Sequence, residues 1–124
     1  HFEGHCENMQ QKLADLDILL ITSDHEGLPM ILLEAMALKT PVIAHAVGGI
    51  PMVLNQGECG ALVSEHQPSN YANAIFQLLN SKENRSNIIK KAFRRVSDFY
   101  SSEKNAKAYH ETYSRLVYTT DLRQ

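Results

Sequence analysis

Glu26 and Glu34 are separated by seven residues, none of them ionisable: Gly27, Leu28, Pro29, Met30, Ile31, Leu32 and Leu33. Carboxylates at such a spacing suit the capture of a polyhydroxylated ligand. An ionised carboxylate only accepts hydrogen bonds, and its two oxygens can take both protons of a vicinal diol. Glu34 carries the sharper signal, because it is the only ionisable residue from Pro29 to Leu38, in a stretch of Met, Ile, Leu and Ala. A helix that is apolar nearly all round is expected to be buried. Burying a carboxylate without partners costs on the order of several kcal/mol, so a hydrogen-bonding partner is expected beside it. Helical side chains tilt toward the helix N-terminus. Glu34 is therefore expected to lean back toward the loop of Glu26, so that both carboxylates border one pocket.

The elements that must position these residues follow from the hydrophobic pattern. Phe2 to Gly4 reads as the end of a strand, and Glu7 to Leu13 as a helix. Asp17 to Thr22 is an apolar run that predicts a strand buried on both faces. The loop Ser23 to Leu28 follows, and Pro29 suits the first position of the helix Met30 to Leu38. Pro41 to Ala44 predicts the next strand. Gly48-Gly49 predicts a turn into a short helix ending near Asn55 to Gly57, and Gly60 to Val63 a further strand. Ser69 to Leu79, Arg85 to Tyr100 and Ser102 to Leu116 carry helical spacing with more charge, and are expected to pack outside the sheet. Short apolar runs alternating with helices predict an α/β fold, a Rossmann-like parallel sheet flanked by helices, in one domain over 1–124.

In open α/β sheets, ligands bind at the carboxyl ends of strands. The loops Ser23 to Pro29 and His45 to Gly49 occupy such ends. The helix start near Gly27 to Ile31 offers unpaired N–H groups and a partial positive charge suited to phosphate. Gly27 lets a phosphate approach the backbone closely. Carboxylates beside a phosphate need neutral donors to grip, and sugar hydroxyls are such donors. A nucleotide sugar combines a diphosphate with a ribose diol and a hexose, which fits both demands.

Other features are read more simply. His45 reads as a strand-end histidine with a local hydrogen bond rather than a base. Gly48-Gly49 is equally a tight turn or part of the site. The pairs Lys90-Lys91 and Arg94-Arg95 read as a solvated helix face, with peripheral contact to an acidic membrane surface as the functional alternative. Two cysteines, Cys6 and Cys59, lie far apart without metal-ligand spacing and read as reduced thiols of a cytoplasmic protein. His1, His5 and Cys6 cluster at the N-terminus but lack the further ligands a metal site needs, so no metal is expected. A net charge of −2 gives no electrostatic ground for a nucleic-acid partner.

Glu26-Gly27-Leu28-Pro29 leading to Glu34-Ala35-Met36-Ala37 closely resembles the E-x7-E motif of the group 1 retaining glycosyltransferases. The likeness runs on through Pro41 to Ala44, Gly48-Gly49, Gly60 to Val63 and the helix after Pro68, covering at least Phe2 to Leu79. It implies the donor-binding, C-terminal domain of a GT-B fold, here without its first strands and without the acceptor-binding domain of the same chain. By the resemblance, Glu26 holds hydroxyls of the donor sugar and is the candidate catalytic residue. Gly27, Leu28, Pro29 and Met30 sit by the diphosphate, and Glu34 holds the ribose. Gly4 borders the base pocket, with His45, Gly48 and Gly49 further candidates.

The resemblance also implies a nucleotide-sugar donor, no cofactor and no protein nucleophile. The implied acceptor is a glycan or glycolipid in polysaccharide biosynthesis, and the implied place is the cytoplasm or the inner face of the membrane. A non-catalytic nucleotide-sugar-binding module and a nucleotide-sugar epimerase of the same fold are the alternatives. Three departures stand out: Met52 where the family commonly has glutamate, Lys39 where it commonly has glycine, and no counterpart of the family's upstream Arg and Lys.

Overall fold

The computed structural model describes residues 1, 2 and 4–121, with side chains described through Val117. Helix α1 (Met9–Ala14) starts where the Asn8 side chain accepts from the Gln11 N–H, two residues later than its pattern suggested. Strand β1 (Leu19–Ile21), helix α2 (Met30–Ala37), strand β2 (Val42–His45), helix α3 (Ile50–Val53) and strand β3 (Ala61–Val63) follow. A single 3₁₀ turn, Asn55–Gly57, separates α3 from β3. Helices α4 (Pro68–Asn80), α5 (Lys82–Phe99) and α6 (Ser102–Asp121) complete the chain.

The three strands form one parallel sheet in the order β1-β2-β3, with Leu19 opposite Val42 and Ile43 opposite Ala61. Strand residues alternate between faces. Ile21, Val42 and Ala44 join a core with Leu13 of α1, Leu32, Ala35 and Met36 of α2, Ile50 and Val53 of α3, and Ala92 and Val96 of α5. Ile43 and Val63 face the other way, onto Tyr71 and Leu78 of α4. This α/β layering is the Rossmann-like arrangement the pattern predicts.

Several expectations need correction. Phe2 and Gly4 lie outside any strand, and Glu3 lies outside the described residues. β1 is not buried on both faces, since Leu20 is 42% exposed. Among the described residues β1 pairs only with β2, and α4 reaches mainly β2 and β3, so the outer half of the second face stays open. Pro29 is the N-cap in extended conformation (ψ 122°) rather than the first helical residue, which is Met30. Among its described side chains, helix α6 packs none that is buried onto the sheet: Tyr109, Tyr113, Leu116 and Val117 are all exposed. The basic residues of α5 are not simply a solvated face either. Arg95 Nε and Nη2 donate to the carbonyls of Val53 and Met52, each at 2.7 Å, and satisfy the carboxyl end of α3. Lys91 pairs with Glu58 at 3.3 Å.

The end of α2 shows how one departure from the family pattern is accommodated. The Thr40 N–H donates to the carbonyl of Ala35 at 2.9 Å, and the Lys39 N–H to Met36 at 3.3 Å, closing the helix around a left-handed residue. That residue is Lys39, with φ of 64°. The buried Thr40 hydroxyl then donates to the Leu13 carbonyl at 2.6 Å, fastening α1 to this turn. A non-glycine residue in this conformation costs about 1–2 kcal/mol, partly offset by the lower chain entropy it brings to the unfolded state. The Lys39 ammonium also lies 4.9 Å from the Phe93 ring centroid. Lys39→Gly is expected to stabilise the fold by about 0.5–1 kcal/mol in urea denaturation. A net loss would mean that the contact with Phe93 outweighs the backbone strain.

Candidate functional site

The loop after β1 and the loop after β2 meet through their backbones. The Gly49 N–H donates to the carbonyl of Gly27 at 2.7 Å. A Cβ on Gly48, whose φ is +57°, would stand 1.7 Å from the Glu26 carbonyl oxygen, and one on Gly49 would stand 2.8 Å from that of Gly27. Only glycine permits this approach. The Gly48-Gly49 pair is thus more than a turn: it is the surface against which the Glu26-Gly27 backbone rests. Gly27 itself has no atom within 4 Å of where a Cβ would lie, so its outer side is open.

α2 begins directly after this loop. The Leu32 N–H donates to the Pro29 carbonyl at 3.1 Å, closing the first turn. Leu28 and Met30 are exposed at the helix start, and Glu26 is half-buried. Glu34 is exposed, contrary to the expectation of a buried carboxylate. The physical reason lies in which stripe of α2 meets the protein. Leu32, Ala35 and Met36 are fully buried and Leu33 is nearly so, whereas Met30, Glu34 and Ala37 form the opposite, open stripe. No desolvation argument applies to Glu34, and its carboxylate takes no hydrogen bond or ion pair among the described residues.

The open stripe is one wall of a hollow of about 290 Å³. Met30, Leu33, Glu34 and Ala37 face Val96, Ser97, Tyr100 and Ser101 at the junction of α5 and α6. Glu26 is not among the residues that line this hollow. Tyr100 and Ser101 were not singled out in the sequence. Their one signal was an aromatic residue at the break between two helical patterns.

His45 ends β2 with its Nδ1 3.0 Å from the Ser23 carbonyl, which is the local hydrogen bond expected of it. Since a carbonyl only accepts, Nδ1 is the protonated nitrogen. The His45 ring lies 4.5 Å, centroid to centroid, from that of His66, a residue the sequence reading passed over. The Tyr71 hydroxyl is 2.8 Å from His66 Nδ1. Burial and the neighbouring Asp24 charge push the Tyr71 hydroxyl above its ordinary pKa, so it stays protonated. Gly4, with φ of 64°, is exposed at the start of the chain with no atom within 4 Å of its Cβ position.

Comparison with known proteins settles the family. The profile of the Glycosyl transferases group 1 matches residues 1–95. The chain belongs to that family. It is 35% identical over 112 residues to the N-acetyl-alpha-D-glucosaminyl L-malate synthase of Bacillus anthracis, covering 90% of this chain and 29% of that one. Among solved structures it resembles the sucrose-phosphate synthase of Thermosynechococcus elongatus, with a TM-score of 0.80 and 29% identity, covering 87% of this chain and 27% of that one. It also resembles a TarM variant of S. aureus solved in complex with Fondaparinux, alpha-GlcNAc-glycerol and UDP. There the TM-score is 0.77 at 25% identity, covering 90% of this chain and 23% of that one. The chain spans less than a third of the length of each of these relatives. Its fold is accordingly part of the Rossmann-like layer of a GT-B glycosyltransferase.

The contact between the loops yields a paired expectation. Gly48→Ala should destabilise the fold by at least about 2 kcal/mol, from steric overlap and a strained positive φ. Gly27→Ala should be neutral or stabilising by up to about 1 kcal/mol, because its φ and surroundings tolerate a methyl group. Urea denaturation of the two variants beside the parent chain checks both, and equal effects would contradict the contact.

Proposed function

We propose that this chain holds the nucleotide-sugar donor of a retaining hexosyltransferase. The observation that carries the reading is the open stripe of α2, which sets Met30, the first helical residue, and the free Glu34 carboxylate along one hollow. A donor diphosphate would lie against the backbone of Gly27, Leu28, Pro29 and Met30, where unpaired N–H groups and the helix dipole favour negative charge. Glu34 would accept from the ribose hydroxyls, and its exposure supports this role, since a carboxylate that grips a ligand has to be reachable. Glu26 would accept from hydroxyls of the hexose. The UDP bound to the TarM relative supports a nucleotide diphosphate as the ligand class.

In the reaction, the acceptor oxygen bonds to the anomeric carbon on the face from which the diphosphate departs. The bond from that carbon to the phosphate oxygen breaks, and the acceptor proton passes to the departing phosphate. The configuration is retained without a protein nucleophile or a cofactor. The rest of the cleft, including the acceptor-binding domain, comes from sequence outside this chain, so the 124-residue chain alone transfers no sugar. We read the acceptor as a glycan or glycolipid of polysaccharide biosynthesis, handled in the cytoplasm or at the inner membrane face. The name of the Bacillus relative favours a second reading, a small hydroxy acid as acceptor.

Calorimetric titration of the 124-residue chain with UDP-, GDP- and ADP-sugars, beside Glu34→Ala, tests the donor reading. One nucleotide series should bind, and the variant should lose about 1–3 kcal/mol, the scale of hydrogen bonds to a charged group. A folded chain that binds none of them, or a variant that binds equally well, would contradict the proposal.

A further inference from the structure

Asp24, His45 and His66 come from the carboxyl ends of β1, β2 and β3, one from each strand or the connection that follows it. Each offers a ligand atom, and the three atoms lie within 4.8 Å of one another. We propose that these side chains bind one divalent cation of the zinc class, with the remaining coordination open to water. Two imidazoles and one carboxylate form a donor set that this class favours over the all-oxygen sets of magnesium and calcium. This site is independent of the donor reading above.

The geometry is close to what an ion needs. Ligands about 2.0–2.1 Å from a tetrahedral ion stand roughly 3.3 Å from each other. Asp24 Oδ1 and His66 Nε2 are already 3.6 Å apart. Side-chain rotation of Asp24 and His66, both exposed, can close the rest without moving the strands. The outer partners are also in place. His45 Nδ1 donates to the Ser23 carbonyl, which leaves the lone pair of Nε2 for a metal. The Tyr71 hydroxyl oxygen stands at His66 Nδ1 and can accept a hydrogen bond from its N–H, which leaves His66 Nε2 as the ligand. Histidines that bind metals are characteristically oriented by such a second partner, a carbonyl or oxygen on the other ring nitrogen. An apolar hollow of about 630 Å³, lined by His66, Tyr71, Leu20, Thr22 and Ile75 among others, leaves the cluster open to solvent on that side.

The ion would act as a brace and take no part in sugar transfer. Asp24 lies two residues before Glu26, so the cation would tie the Glu26 loop to the connection between β3 and α4.

Titration of the 124-residue chain with Co²⁺, read by visible absorption, and with Zn²⁺, read by competition, tests the site. One ion per chain should bind with a Kd tighter than about 10 µM, and Asp24→Ala and His66→Asn should each weaken it at least about 10-fold. Tyr71→Phe should weaken it by a smaller factor. Both ligand positions are exposed, so circular dichroism of those variants should match the parent. His5→Ala provides the control for the N-terminal His1, His5 and Cys6. Binding weaker than about 10 µM, or binding that His5→Ala abolishes and His66→Asn leaves intact, overturns the proposal.

Discussion

The hydrogen bond from the Gly49 N–H to the Gly27 carbonyl, 2.7 Å long, ties together the two loops at the carboxyl edge of the sheet. Its length is set by two residues without side chains, since a Cβ on Gly48 would overlap the Glu26 carbonyl. From this contact follow the position of Glu26, the direction in which the chain enters α2, and the start of α3, for which Gly49 is the N-cap. Arg95 braces the far end of α3 from α5, and α5 packs on α2. The loop that carries Glu26 is therefore held largely through its own carbonyls, that of Gly27 taking the Gly49 N–H and that of Ser23 facing His45 Nδ1. That leaves the Glu26 and Glu34 carboxylates without internal partners among the described residues.

Helix α2 divides its labour by stripe. Leu32, Ala35 and Met36 anchor it to the sheet, so the outward stripe leaves Met30 and Glu34 exposed along the hollow. An eight-residue helix gains little from propensity alone, so its orientation is decided by that packing.

Much of this was legible in the residues. The order of strands and helices could be read because parallel strands appear as short apolar runs, and the amphipathic α4 and α5 keep helical spacing. The two glycines pointed to the loop that meets the Glu26-Gly27 backbone at the carboxyl edge of the sheet. The exposure of Glu34 was not legible, because a helix composed of Met, Ile, Leu and Ala does not declare which stripe faces the sheet. The exposure of Leu20 depended on strand pairing, which a single run cannot report. Asp24, His45 and His66 are brought together by the register of three parallel strands, and Tyr71 by the first turn of α4. Residues so far apart in sequence carry no local pattern that foretells their meeting.

The most direct test of the central claim is an amide-resolved NMR titration of the chain with UDP. If the β1–α2 loop and the start of α2 form the phosphate cradle, the largest shifts fall on Gly27, Leu28, Met30 and Ile31, with smaller ones reaching Glu34 and Gly49. Shifts confined to α4, α5 or α6, with those amides unmoved, would place the nucleotide elsewhere and contradict the account.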